Sequence, residues 1–346
     1  MFHVFKVIPI MTSVTINLHI SNALPHGNQA HSQDILGLWQ DIAAFFRDRP
    51  FRASGDTTDN EQDYQVTFDA ASMVELMEQA LRQSDSFDKY RQALGTEDKP
   101  PSGADLQVTI STRNSMPEAD AYGVASVFFQ QLVLAANISV PGSIQLVGTW
   151  FTGDGSAHYE AQTFDSHLLH GAYQAAAMNE WPALDSLPFS QVWTWLDQTE
   201  SSSTHTALKD INKALFTFLK VAQQRQEYSA RTAMLVAYLL ETLLACRPSG
   251  LQNRLGSRLR AILGDIPEGA DCIRELQEIR DNLFLASQPV HRPPLLSSRG
   301  ADSTASQPGQ HNSVVEGGMA IALALLQDLV KHQALSYQFN EQWSRK

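Results

Sequence analysis

Arg280 and His291 stand eleven positions apart in EIRDNLFLASQPVHRPP and are the best candidates for chemistry in the C-terminal half of this chain. An arginine fork holds an anionic phosphorus centre, while a histidine, with an ordinary pKa of about 6.5, moves protons at neutral pH. That combination suits proton transfer at a phosphate ester. On one continuous helix, eleven residues would separate the two side chains by about 16 Å along the axis, too far to share one phosphate. Pro289 disfavours helical geometry at Gln288 and ends the run there, which leaves His291 free to fold back toward Arg280.

A second cluster is FDSHLLHG, in which Asp165, His167 and His170 carry ligand-type side chains, with His158 nearby. Histidines three apart on a helix share a face and can bind one metal, as in a metal-dependent hydrolase. Neither HExxH nor CxxC spacing accompanies them, so no metal and no cofactor is expected. Gly153-Asp154-Gly155 lacks the lysine and helix start of a phosphate loop and reads as a tight turn. Tyr122, Phe128, Phe129, Trp150 and Phe151 have the density of a core. Trp193 and Trp195, two apart, cannot share one helix face, so at least one is expected to be exposed or to pack against the N-terminal part.

The elements that must position these groups differ between the two halves. Ser13 to Ile20, Tyr64 to Phe68 and Leu106 to Ile110 alternate as half-buried strands. Between them, Asp34 and Asp69 are placed to cap helices over Ile35 to Phe46 and around Met73 to Leu81. Pro117-Glu118 opens a helix running to Ala136, and Pro141-Gly142 turns the chain into a strand over Ser143 to Phe151. From about Phe164 no strand pattern recurs. Helices are predicted over Phe189 to Leu196, Ala207 to Ala222, Arg231 to Ala245, Leu251 to Leu263, Cys272 to Ala286 and Val315 to Ala334, with a polar, mobile loop at 292–312. The expected organisation is an α+β domain at 1–160, a connecting segment at 161–188 and an all-α bundle at 189–346.

Charge divides the chain in the same way. Residues 1–205 hold nine Lys and Arg against 24 Asp and Glu, a net of −15, while residues 206–346 hold 16 against 13, a net of +3. Eleven of those sixteen cations are arginine, whose planar fork suits phosphate. An acidic first domain therefore suits sensing or a protein partner, and Arg254, Arg258 and Arg260 are the candidate RNA contacts. No run of eighteen apolar residues occurs, so no membrane partner is expected, and MFHVFKVIPI makes a poor signal peptide. Cys246 and Cys272 in apolar settings suit reduced thiols and a cytoplasmic location.

The helical half resembles the Apea-like branch of the HEPN superfamily. VWTWLDQT at 192–199 resembles the aromatic helix that leads into such domains, and AYLLETLLACRPSGLQNRLGSRLRAILG at 237–264 resembles their central helix pair, with Glu241 and Arg258 at matching positions. Cys272 to Ala286 resembles the helix that ends in an arginine followed after four to six residues by histidine and commonly glycine. The likeness covers about 150 residues. It implies an all-helical, commonly dimeric domain of antiviral defence or toxin-antitoxin systems, and metal-independent endoribonuclease chemistry in active members. With Arg280 as the family arginine, Leu285 stands at the histidine position and cannot transfer a proton. The expectation is thus an RNA- or partner-binding protein with an eroded catalytic pair. The alternative is an active endoribonuclease using Arg280, His291 and Asn282, with His291 reaching Arg280 in its own chain or across a homodimer.

Overall fold

The computed structural model describes residues 12–21, 29–57, 60–83, 103–113, 116–144, 147–153, 158–160, 164, 167–223, 230–246, 251–267, 272–285 and 312–339. The chain forms two compact units, Met1–Phe164 with Leu187–Thr206, and Asp165–Ser186 with Ala207–Lys346.

Strict alternation builds the sheet of the first unit. Tyr64, Val66 and Phe68 are buried while Gln65 and Thr67 are exposed, and Leu106, Val108 and Ile110 are likewise buried. The strands are β1 (Thr12–Ser21), β2 (Phe51–Thr57), β3 (Asn60–Asp69), β4 (Gly103–Thr112), β5 (Val147–Gly153) and β6 (His158–Glu160). They form one antiparallel sheet in the order β2-β3-β4-β1-β5-β6. Phe68 pairs with Val108, and Val108 with Ile16, so one apolar row crosses three strands on the buried face. Helices α1 (Gln29–Arg47), α2 (Ala71–Gln83) and α3 (Glu118–Ser139) pack on the sheet.

Local signals account for most of these boundaries. The Asp69 carboxylate accepts a hydrogen bond from the Ala71 amide at 2.9 Å and caps α2, and Pro117 presets the start of α3. Asp34 caps nothing. The helix extends upstream to Gln29, because 29–33 contain neither Pro nor Gly and because His31 and Ser32 carry its buried face back by a turn. At the end of α3 the Asn137 side chain accepts from the Gly142 amide at 3.1 Å, and Gly142 takes a φ of 77° to make the turn.

An aromatic cluster occupies the core. Phe46 lies 4.9 Å from Trp193, 5.3 Å from Phe128 and 5.6 Å from Phe68 between ring centroids, mostly edge to face. The first unit therefore includes a fourth α-helix from much later in the chain, Phe189–Thr199. Both Trp193 and Trp195 are buried, with Trp193 packed among the rings of α1, α3 and β2. The aromatic helix of 192–199 thus belongs with the sheet and not with the helical half, which moves the expected division at 189.

Segment 161–188 is likewise more than a connection. It contains α4 (His167–Met178), whose Leu168, Leu169, Ala172, Ala175 and Ala176 are buried in the second unit. Keeping chain order, the helix Phe189–Thr199 is α5, and the second unit continues with α6 (Asp210–Ala222), α7 (Ala230–Leu243), α8 (Leu251–Leu263), α9 (Cys272–Phe284) and α10 (Asn312–Lys331). Among the described residues this unit is all helical. At its centre is α10, buried along almost its whole length from Val314 to Val330 and packed by α4, α7 and α9. Ala119–Ser139 and Ser313–Lys331 are apolar enough to cross a bilayer, yet 78% of each window is buried inside the protein, so core packing uses that apolar surface. The expected loop at 292–312 lies outside the described residues apart from Asn312, and so does the turn after Gly153.

Gly318 lets α10 approach its neighbours closely: an added Cβ would stand 2.5 Å from Leu276 Cδ1 on α9 and 2.8 Å from Val236 Cγ1 on α7. Gly318→Ala is expected to lower stability by about 1–3 kcal/mol through overpacking. Gly123→Ala, with nothing within 4 Å of the added carbon on an exposed helix position, is expected to raise it by up to about 1 kcal/mol. Chemical denaturation of both variants checks the pair, and equal effects of the two would contradict the packing.

Candidate functional site

The helical half brings Arg280 and Glu241 together, two residues 39 apart in sequence. Arg280 sits in the third turn of α9, and its Nη1 donates to Glu241 Oε1 on α7. The same guanidinium donates from Nε and Nη2 to Asp281 Oδ1, at 3.0 and 2.9 Å. The arginine side chain is only 16% exposed and that of Glu241 22%. Burial pushes the Glu241 carboxyl above the ordinary glutamate range, partly opposed by the adjacent Arg280 charge. Arg280 is therefore a half-buried cation held by two carboxylates. Its fork points to protein oxygens, which compete with any phosphate for the same donors.

The other sequence candidates are less concentrated. His291 lies outside the described residues. Leu285 is 77% exposed at the end of α9, offering no proton-transfer group there. Asn282 is exposed, and a spacing of two on a helix turns it away from the Arg280 face. Arg258 donates through Nη1 to the carbonyls of Leu244 and Ala245 at 2.6 and 3.0 Å, closing the end of α7, while its guanidinium stacks 4.4 Å from the Phe339 ring. Arg258 is thus engaged within the bundle. Arg260 is exposed, and the Arg254 side chain lies outside the described residues. In the histidine cluster, His170 is buried and pairs through Nε2 with the Gln174 side chain at 2.9 Å. Asp165 and the His167 side chain lie outside the described residues, and among the described ones no group of three metal-ligating side chains occurs.

The first unit holds a cavity of about 510 Å³ that the sequence pattern does not reveal. Its wall takes Phe45 from α1, Phe51 from β2 and Trp193 from α5, and its polar groups include Arg49, Arg52 and Asp197. The available signal was RDRPFR at 47–52, which places three of the nine cations of residues 1–205 within six positions. Asp197 is exposed as a residue, and partial desolvation in the cavity wall pushes its carboxyl up to about 6. No known family, curated protein or solved structure matches this chain.

Arg280→Ala leaves Glu241 without its main compensating charge. At neutral pH the variant is expected to lose roughly 1–3 kcal/mol of stability, less than for a fully enclosed ion pair because both partners retain some solvent. The pH response follows from the raised carboxyl. Ionising Glu241 opposes folding, so its contribution is intact below the ordinary glutamate range and is lost as pH rises through the folded value. Without Arg280 that folded value rises further, so the loss grows. Denaturation midpoints at several pH values should show the deficit of Arg280→Ala shrinking toward acid, and Glu241→Gln should remove that pH dependence. A deficit independent of pH would exclude the ion pair as its cause.

Proposed function

We propose that this chain is a HEPN-like binding protein that does not cut RNA. The observation that carries the reading is the neutralisation of Arg280 by Glu241 and Asp281, which gives the arginine a structural task in place of a catalytic one. Leu285 at the signature position supports it, since a leucine supplies no proton. The purified protein is expected to show no metal-independent nuclease activity in the presence of a chelator. Chelator-resistant cleavage of single-stranded RNA, lost in both Arg280→Ala and His291→Ala, would establish the endoribonuclease alternative.

The interaction we assign to the helical unit is with a second copy of the chain. α10 is buried inside the unit and offers no apolar face, but α7 presents exposed Arg231 and Tyr238, with half-buried Met234 and Leu235 at helical spacing between them. A two-fold axis beside this stripe would bury the same residues of each copy. RNA is the second reading, favoured by the exposed Arg260 in the net-positive half. The free cysteines support a cytoplasmic location. Sedimentation of the full chain is expected to give a dimer at micromolar concentration, converted to monomer by Tyr238→Arg. A wild-type monomer at tens of micromolar would exclude the dimer.

A further inference from the structure

The cavity in the first unit joins features that the reading of Arg280 does not use. Its first feature is cationic in an otherwise acidic part of the chain. Arg49 and Arg52 line it together with the carboxylate residues Asp197 and Glu200, and among the described residues neither arginine has an ion-pair partner. A guanidinium presents a planar fork to phosphate or carboxylate. The second feature is aromatic: Phe51 and Trp193 are buried at its base, Phe45 is half-buried, and Arg49 lies over the Phe45 ring at 5.4 Å. Of these, Phe45 has ring surface left to meet a planar base.

The third feature separates a nucleotide from a plain anion. The Asp197 carboxylate is an acceptor, and among the described residues it has no hydrogen-bond partner. Inorganic phosphate or a dicarboxylate would bring it only more acceptors. A guanine base brings two adjacent donors, its ring N–H and exocyclic amine, which match the two oxygens of one carboxylate. Ser202 and Ser203 add hydroxyls that donate or accept. The volume falls in the range of about 300–1,000 Å³ usual for small-molecule sites.

We propose that this cavity binds a guanine nucleotide, with the phosphate on Arg49 and Arg52, the base against the half-buried Phe45 ring, and the Asp197 carboxylate accepting from the base edge. Free nucleotide and the 5′-phosphorylated guanosine end of an RNA carry the same groups, so either can be the source.

The full chain is titrated with GMP, IMP, AMP and inorganic phosphate by calorimetry. GMP is expected to bind tightest, IMP more weakly for want of the exocyclic amine, AMP more weakly still, and phosphate alone without detectable heat. Arg49→Ala and Arg52→Ala are each expected to weaken GMP binding about tenfold or more, as for loss of a charge-assisted hydrogen bond. Asp197→Asn should abolish the preference for GMP over AMP while retaining nucleotide binding. Both arginines are exposed, so unchanged melting curves will show that the variants fold. A short RNA with a 5′-phosphorylated guanosine is compared with its 5′-hydroxyl form and with free GMP. Tighter binding of the phosphorylated RNA makes an RNA end the source, and tighter binding of GMP makes it the free nucleotide. No GMP binding at millimolar concentration, or GMP binding undiminished in the Arg49→Ala/Arg52→Ala double variant, would overturn the proposal while leaving the reading of Arg280 untouched.

Discussion

The meeting of Phe46, Phe68, Phe128 and Trp193 is the contact on which the organisation of the chain depends. Each such ring buries about 150–250 Å², or roughly 4–6 kcal/mol at 25 cal/mol per Å² as an upper bound. Phe189 and Trp193 come from a helix separated from the last strand of the sheet by residues 161–188, and their burial is large enough to assign that helix to the first unit. The backbone marks the crossing sharply. Asp185 is fixed by both its amide and its carbonyl to the Gln327 side chain, at 3.0 and 2.7 Å in the second unit, and two residues later the Leu187 amide donates to Ser139 in the first.

The second unit depends on a different device. Its central helix is nearly featureless in charge, so neighbouring helices are located by shape at Gly318 and by a few polar ties around the outside. Arg258 closes α7, Arg280 bridges α9 to α7, and Tyr337 donates to the Leu325 carbonyl and Asp328 carboxylate to fold the tail onto α10. Arginine serves here as a long-armed fastener. A cation count taken from the sequence therefore overstates the charge offered to a ligand by this half and understates that of the acidic half, where Arg49 and Arg52 line an open cavity.

Periodicity made most elements legible. β1, β3 and β4 follow alternation, and α8 runs from Leu251 to Leu263 as its pattern indicates. β2 was not legible, because FRASGDT lacks a sustained apolar alternation and, as an edge strand, pairs on one side only. β6 has three residues, too few for any period. The division between units is not legible for another reason: whether α5 packs with the sheet or with the later helices depends on partners distant in sequence, and its apolar face suits either. The cavity was hidden likewise, since Phe45, Arg52 and Asp197 meet only after α1, β2 and α5 have assembled.

Helix α4 carries this discontinuity into synthesis. Its apolar face of Leu168, Leu169, Ala172, Ala175 and Ala176 is buried by packing that includes α10, which begins more than 130 residues later. At about 5–20 residues per second, that face waits on the order of ten seconds on the ribosome before its main partner emerges. The sheet unit meanwhile gains its last helix at Thr199 and can close first. The nascent chain then consists of a finished domain from which one greasy helix is still hanging, and that interval is when a chaperone that holds short apolar helices has most to offer this protein.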